Sequence, residues 1–340
     1  MNILIDIIHP AHINLFKRAI QRLQNDGNQV FVTCINRGRL PAIVASELRP
    51  IKVKTIGRHR GSIFSILFEA NFLRLIQMFL YLWNKKIDVG ISFGSFLMGF
   101  ILTLKHKPNI HLSDDPERKL NSILELITCN ERYLPPIITP HGKTKIFNSL
   151  KEWAYLSPKY FKPDVSVLKF YDLEPYKYIF VREVSTGSLN YKSQKNAIIS
   201  SIAHNFQADI KVIFSLEDKS LMSLYPSNWI LLSEPVTDIH SVMFYSRLVI
   251  SSGDSMAREG AMLGVPSVYC GNRIMAANQL LIDRGMLHKL TLQDIGSFLN
   301  KTLKSDTYID DQINFRNKLL EDWIDVTDFI LTTILKYKKQ

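Results

Sequence analysis

The residues best suited to chemistry lie in residues 249–268, VISSGDSMAREGAMLGVPSV. The run reads as a buried strand, a small-residue turn, a helix and a second strand, which is half of a parallel α/β unit. Ser251, Ser252, Gly253, Asp254 and Ser255 would present backbone N–H groups and hydroxyls at the positive end of that helix, a setting for a diphosphate or other anion. Glu259, about one turn further on, would accept hydrogen bonds from a ribose diol. Gly260, Ala261 and Gly264 keep the helix slim enough to approach the sheet, and Pro266 stops it. Every parallel α/β protein needs such turns, so a purely structural role stands beside the anion-binding one.

A second set opens the chain. Residues 2–8 form a short apolar strand, and HPAHINLFKRAIQRLQNDGNQVFVT carries it through a loop, a helix and another strand. Leu15, Ala19, Ile20 and Leu23 share one helical face, and Gly27 can close the helix. His12 would then stand at the C-terminal end of a first parallel strand, where open α/β sheets bind ligands. Its near-neutral pKa suits it to take a proton from an attacking hydroxyl, although His9 or His12 could equally cap the helix or bind phosphate. Asp114 and Glu117 follow a strand at 109–112 and are candidates to orient His12, hold an acceptor hydroxyl or act as acid and base. The alternative for Asp114 and Asp115 is an N-cap on a helix beginning near Pro116.

The Ser-Gly-x-x-x-x-x-Glu-x-Ala-x-x-Gly-x-Pro arrangement of 252–266 resembles the nucleotide-sugar loop of GT-B glycosyltransferases and of non-hydrolysing UDP-N-acetylglucosamine 2-epimerases. The resemblance implies that Ser252, Gly253, Asp254 and Ser255 hold a diphosphate and that Glu259 holds the ribose. The first βαβ is similar to that of GT-B sugar transferases, which places His12 at their active-site histidine. His9-Pro10-Ala11 stands where glycines are common there, and Asn28 replaces a later histidine. Residues 88–95 resemble the N-domain strand that ends in a glycine-serine turn. After a strand at 178–182, the loop to Ser188 is the one that faces the diphosphate in these enzymes. Arg182 and Ser185 thereby become phosphate contacts, with a structural carboxylate as the other partner for Arg182. The segment 234–240 touches base or sugar in the same enzymes and marks His240, whose alternative is a helix-start ring that packs or meets solvent. Asn272, Arg273, Asn278 and Gln279 lie in the loop that grips the donor sugar. The whole chain is similar to an uncharacterised archaeal and bacterial family grouped with the GT-B enzymes.

The implied fold is α/β, GT-B-like, with two doubly wound parallel-sheet domains and an interdomain cleft. A Rossmann-like acceptor-side domain is expected over 1–165 and a nucleotide-sugar-binding domain over 176–310, joined by a linker within 160–178. A long terminal helical segment over 311–340 would pack on the first domain. The implied activity is metal-independent transfer of a sugar from a nucleoside diphosphate donor, UDP-linked, to a hydroxyl acceptor in surface polysaccharide or glycolipid synthesis. A UDP-GlcNAc 2-epimerase-like enzyme is the alternative, weakened by the missing His-x-Glu-Ala-Gly sequence, and a non-catalytic nucleotide-sugar-binding protein is a third.

Composition agrees with this and narrows the partners. At 340 residues there is room for two cores. Cys34, Cys129 and Cys270 are odd in number and far apart, with neither disulfide nor zinc spacing, which suits a reducing cytoplasm. A strand that begins at once and carries Asp6 is unlike a signal peptide. No metal or cofactor is expected beyond the nucleotide sugar. A net charge of +11 asks for an anionic partner: a nucleotide sugar, an anionic membrane or nucleic acid. Scattered lysines without an RNP, KH or zinc-finger pattern argue against nucleic acid. Residues 63–83, IFSILFEANFLRLIQMFLYLW, are strongly apolar but interrupted by Glu69, Asn71, Arg74 and Gln77. They are core helices or an amphipathic face on lipid with Arg58, Arg60, Lys85 and Lys86 beside it. Peripheral attachment to the inner face of the cell membrane is one consequence.

Overall fold

The computed structural model describes residues 1–60, 64–187, 191–206, 210–232, 236, 238–291 and 293–338. By its contacts the chain forms two compact units, residues 1–155 with 323–340, and residues 156–322. The first contains strands β1 (Asn2–Ile7), β2 (Gln29–Asn36), β3 (Val53–Arg58), β4 (Val89–Phe93), β5 (Asn109–Leu112), β6 (Glu131–Leu134) and β7 (Thr144–Ile146). Between them run α1 (Ala11–Asn25), α2 (Leu40–Glu47), a π-helix (Ser65–Leu73) that continues as α3 (Arg74–Leu82), α4 (Phe96–Leu104) and α5 (Lys119–Thr128); the short α6 (Trp153–Leu156) ends the run.

The seven strands form one parallel sheet in the order β3-β2-β1-β4-β5-β6-β7. Order reverses between β1 and β4, so the crevice past their C-terminal ends is where such a sheet takes a ligand. Parallel strands are covered on both faces, which is why β1 and β4 are unbroken buried runs rather than alternating ones. The amphipathic α1 buries Leu15, Phe16, Ala19, Ile20 and Leu23, and Gly27 at φ +77° follows its end.

The second unit repeats the plan with β8 (Tyr178–Glu183), β9 (Lys211–Leu216), β10 (Ile230–Leu231), β11 (Leu248–Ser251), β12 (Ser267–Tyr269) and β13 (Leu287–His288). Its parallel sheet is ordered β10-β9-β8-β11-β12-β13, with the reversal between β8 and β11. The helices are α7 (Ile239–Phe244), α8 (Asp254–Met262), α9 (Ala276–Ile282), α10 (Asp294–Lys304) and α11 (Tyr308–Asp322). Gly260 earns its place in α8 by proximity: a Cβ there would lie 2.5 Å from Ser267 Oγ and 2.9 Å from Val249.

Three expectations change in detail. Residues 160–178 are not a bare linker: they hold a 3-10 helix, Val165–Tyr171, inside the second unit. The helix expected near Pro116 begins at Lys119, and neither Asp114 nor Asp115 is its N-cap, which is Arg118. The terminal segment is two helices, because residues 323–325 break it. α11 stays in the second unit, where Gln312 Nε2 donates to the Phe244 and Leu263 carbonyls at 3.0 Å each. The last helix, α12 (Val326–Leu335), belongs to the first unit and packs on α1.

Candidate functional site

At the reversal point of the first sheet, α1 starts directly after β1 and sets His12 in its first turn. The imidazole is 6% exposed and lies with its centroid 5.0 Å from the Phe93 ring at the end of β4. Burial, reinforced by the positive charges of His9, Lys151 and Arg37, holds its pKa well below the usual imidazole range. The ring is therefore neutral near pH 7, the form able to accept a proton, and its Nδ1 has no hydrogen-bond partner among the described residues.

A buried polar strut braces the same sheet. Asp6 of β1 accepts two hydrogen bonds from Arg74 Nη2, both at 2.8 Å, one from Thr33 Oγ1 at 2.7 Å and one from Ser95 Oγ. Arg74 Nε also donates to the Ile56 carbonyl at 3.2 Å. The network ties β1, β2, β3, α3 and the Gly94-Ser95 turn together where the ligand loops leave the sheet. Its only trace in the sequence is a single charge inside an apolar strand and another inside an apolar helix, each of which needs a partner when buried.

Asp114 pairs with the Lys151 ammonium, which also meets Glu152 at 2.8 Å and lies 5.4 Å over the Phe93 ring. All three charged groups are buried. Glu117 sits on the exposed turn before α5. The carboxyl missed by spacing is Glu125 of α5: a Cβ on Gly94 would lie 3.5 Å from its Oε1, and Ser113 hydrogen-bonds to it. Desolvation, opposed by Arg132 and Ser113, pushes its pKa up to about 7. His111 is a core residue instead, with Gly99 making room for it: a Cβ at that glycine would lie 2.4 Å from His111 Nε2.

In the second unit the motif of residues 251–259 caps the reversal point between β8 and β11. Ser252 Oγ accepts the Val184 N–H at 2.9 Å, which ties the loop to the residue after β8, and Gly253 N–H donates to Ser251 Oγ at 3.0 Å within the loop. No side chain caps α8, and Ser255 stands half-buried in its first turn. Asp254 is buried in the same turn, accepting from Tyr191 OH at 2.6 Å, with Arg258 at 3.4 Å and Arg273 at 3.8 Å. Asn278 serves that cluster by accepting from Arg258 at 3.1 Å. Arg182 and Ser185 are joined through one carboxylate: Glu217 accepts from Arg182 Nη2 and from the Ser185 N–H at 2.9 Å.

The structure brings two expected residues face to face. His240 Nε2 of α7 lies 3.6 Å from Glu259 Oε1 of α8, both largely buried. Burial works against the imidazolium, but the Glu259 hydrogen bond and charge, with Asp238 adding to them, outweigh it and raise the His240 pKa. Ser188, Glu234, Pro235 and Thr237 lie outside the described residues. Among the described residues, no three His, Cys, Asp or Glu side chains gather to hold a metal ion, and no helix is long and apolar enough to cross a membrane.

Solved structures share this fold over the whole chain. The spinosyn forosaminyltransferase SpnP superposes with a TM-score of 0.72 at 12% identity, covering 100% of both chains. An S. aureus MnaA structure with UDP gives 0.71 at 10% identity, over 99% of this chain and 96% of that one. The fold is thus that of GT-B glycosyltransferases, two Rossmann-like parallel-sheet domains. In sequence, an uncharacterized protein of Methanocaldococcus jannaschii is 23% identical, covering 100% of this chain and 99% of its own. A family model described as "Protein of unknown function (DUF354)" matches residues 1–339, and the chain belongs to that family.

Proposed function

We propose that the protein is a glycosyltransferase that moves a sugar from a UDP-linked donor to a hydroxyl acceptor, in surface polysaccharide or glycolipid synthesis. The observation that carries the reading is the Glu259–His240 pair beside the uncapped N-terminus of α8, at the reversal point of the second sheet. A carboxylate held there accepts from the ribose hydroxyls, and the first-turn amides with Ser255 meet the diphosphate. Asp254 is held by Arg258 and Arg273, and those arginines offset its charge at the same end. The likeness to a structure that holds UDP and to a sugar transferase supports the donor class.

In the reaction, neutral His12 takes the acceptor's proton as its oxygen attacks the anomeric carbon. The bond from that carbon to the β-phosphate oxygen breaks, and its electron pair leaves with UDP. Charge growing on UDP is met by the helix end, with no metal in the scheme. Lys151, paired with Asp114 and Glu152 and lying 5.4 Å over the Phe93 ring, adds positive charge that helps keep His12 neutral.

A second reading, 2-epimerisation of the UDP-sugar, is favoured by the placement of buried Glu125 beside the Gly94 turn at the end of β4, where desolvation pushes its pKa up to about 7 and suits it to give and take a proton. Titration calorimetry with UDP, followed by mass and NMR analysis of a UDP-sugar panel, tests both. Glu259→Ala should weaken UDP binding at least about tenfold, the loss of a charge-assisted hydrogen bond. Undiminished UDP affinity in that variant, or none in the wild type, overturns the donor assignment. An interconverted sugar in place of a transferred one selects the epimerase.

A further inference from the structure

We propose that the outer face of α3, α4 and α5 docks on the surface of an anionic lipid bilayer. The crossovers β3 to β4, β4 to β5 and β5 to β6 all run the same way along the sheet. Right-handed connection therefore puts the π-helix with α3, α4 and α5 side by side on one face, opposite α1 and α2. The inner sides of α3 and α4 face the core, where Met78, Leu82, Met98, Ile101 and Leu102 pack with Leu4 and Ile56. Across the whole face the outer sides are apolar as well. Phe64, Phe72, Trp83, Leu104, Ile123 and Ile127 are each between 54 and 70% exposed. Phe64, Phe68 and Phe72 stack in succession, with centroids 5.3 and 5.7 Å apart. An apolar face this broad marks an interaction surface rather than ordinary exposure.

Charge decides the occupant. Along residues 64–83 the one carboxylate is Glu69, which accepts from Ser65 at 2.5 Å and lies 3.5 Å from Arg60. Residues 96–107 carry none, and in α5 the one carboxylate, Glu125, is buried. Basic groups outnumber acidic ones at the helix ends: Arg58 and Arg60 before the π-helix, Lys85 and Lys86 ahead of Asp88 after α3, Lys107 after α4, and Arg118 and Lys119 beside the exposed Glu117 entering α5. A second copy of this face would bring like charges together. An anionic bilayer satisfies both components, because apolar side chains enter the acyl boundary while lysine and arginine meet lipid phosphates. Trp83, exposed and set at the edge of the apolar stripe, has the amphipathic ring that interfaces favour.

Trp83 also supplies the test. The other tryptophans, Trp153, Trp229 and Trp323, are at most 5% exposed, so brominated lipid quenches only Trp83 at close range. The whole protein is sedimented with vesicles of phosphatidylglycerol and phosphatidylcholine in equal parts, and with phosphatidylcholine alone. Binding should be at least tenfold stronger to the mixed vesicles, fall with salt, and show brominated-lipid quenching that Trp83→Phe removes. The double variant Phe64→Ser, Phe72→Ser should lose at least tenfold in binding with its melting temperature held. If that variant does not fold, Lys86→Glu with Lys119→Glu, both on exposed turns or helix starts, should weaken binding to a similar degree. No preference for anionic vesicles, quenching that survives in Trp83→Phe, or a concentration-dependent dimer that shields Trp83 overturns the proposal. Soluble UDP binding is read without vesicles, so failure here leaves the donor assignment standing.

Discussion

The two sheets share one topology and put different chemistry at equivalent places. At the reversal point of the first, the groups are desolvated and shifted toward their neutral forms: His12 falls well below its ordinary pKa and Glu125 rises to about 7. At the reversal point of the second, the prominent feature is pairing: Arg182 with Glu217, Asp254 with two arginines, His240 with Glu259. Parallel α/β topology thus fixes where a ligand goes, while burial against pairing decides whether the site moves protons or holds charge. Their outer surfaces differ too. Apolar exposure is concentrated on three neighbouring helices in the first unit, whereas in the second it is spread over separate elements, as at Val165, Leu224 and Ile274.

The comparison breaks most visibly at His12. His12→Ala should cut sugar transfer about 10²–10⁴-fold while calorimetric UDP affinity stays at the wild-type value; a matching loss of affinity would erase the division of labour. The acid limb of the wild-type pH–rate profile should lie well below pH 6.5, following the lowered pKa of that imidazole.

Next comes the strut. Asp6→Ala leaves the Arg74 guanidinium buried without its carboxylate and should destabilise the first unit by about 3–5 kcal/mol. Scanning calorimetry would show its transition moving down while that of the second unit holds. A variant melting like wild type would mean that the strut contributes nothing.

Glu125 sharpens the contrast through pH. The folded state keeps its proton up to about pH 7, whereas the unfolded chain releases it near 4.5, so the folded state binds more protons between those values. Its contribution is present below pH 4.5, is lost as pH rises to 7, and amounts to about 3 kcal/mol. Denaturant midpoints for Glu125→Gln should lose that decline; parallel profiles for variant and wild type would contradict the burial argument.

The smallest effect concerns His240. Its raised pKa adds stability that is full below pH 6.5 and lost as pH climbs through the folded value. Glu259→Gln removes the charge that raises it and leaves desolvation, so the imidazole midpoint followed by NMR should drop. An unmoved midpoint would transfer the credit to Asp238.

Much of this molecule was legible because parallel strands covered on both faces must be apolar throughout. The runs that became β1, β4, β8 and β11 stand out for that reason, as do the turns carrying His12 and residues 251–255. The anion-site reading of that second turn was harder. Composition shows serine and glycine beside an acid, but which hydroxyls are already spent on the residue after β8 depends on loop geometry. The helix after β5 was misplaced because Asp before Pro is a strong local capping signal, and here tertiary packing starts α5 at Lys119 instead.

By itself the sequence determined the apolar strand runs, the small-residue turns and the excess of positive charge, which follow from local periodicity and residue type, while the arrangement into two parallel sheets came from the resemblance to GT-B enzymes. Only the tertiary structure decided the partners. It set Arg74 on Asp6, His240 on Glu259 and Lys151 on Asp114, and it left one side of α3, α4 and α5 apolar and exposed. The reason is physical: a buried charge is stable only beside a complement, and helical periodicity says that a face is apolar without saying whether protein covers it.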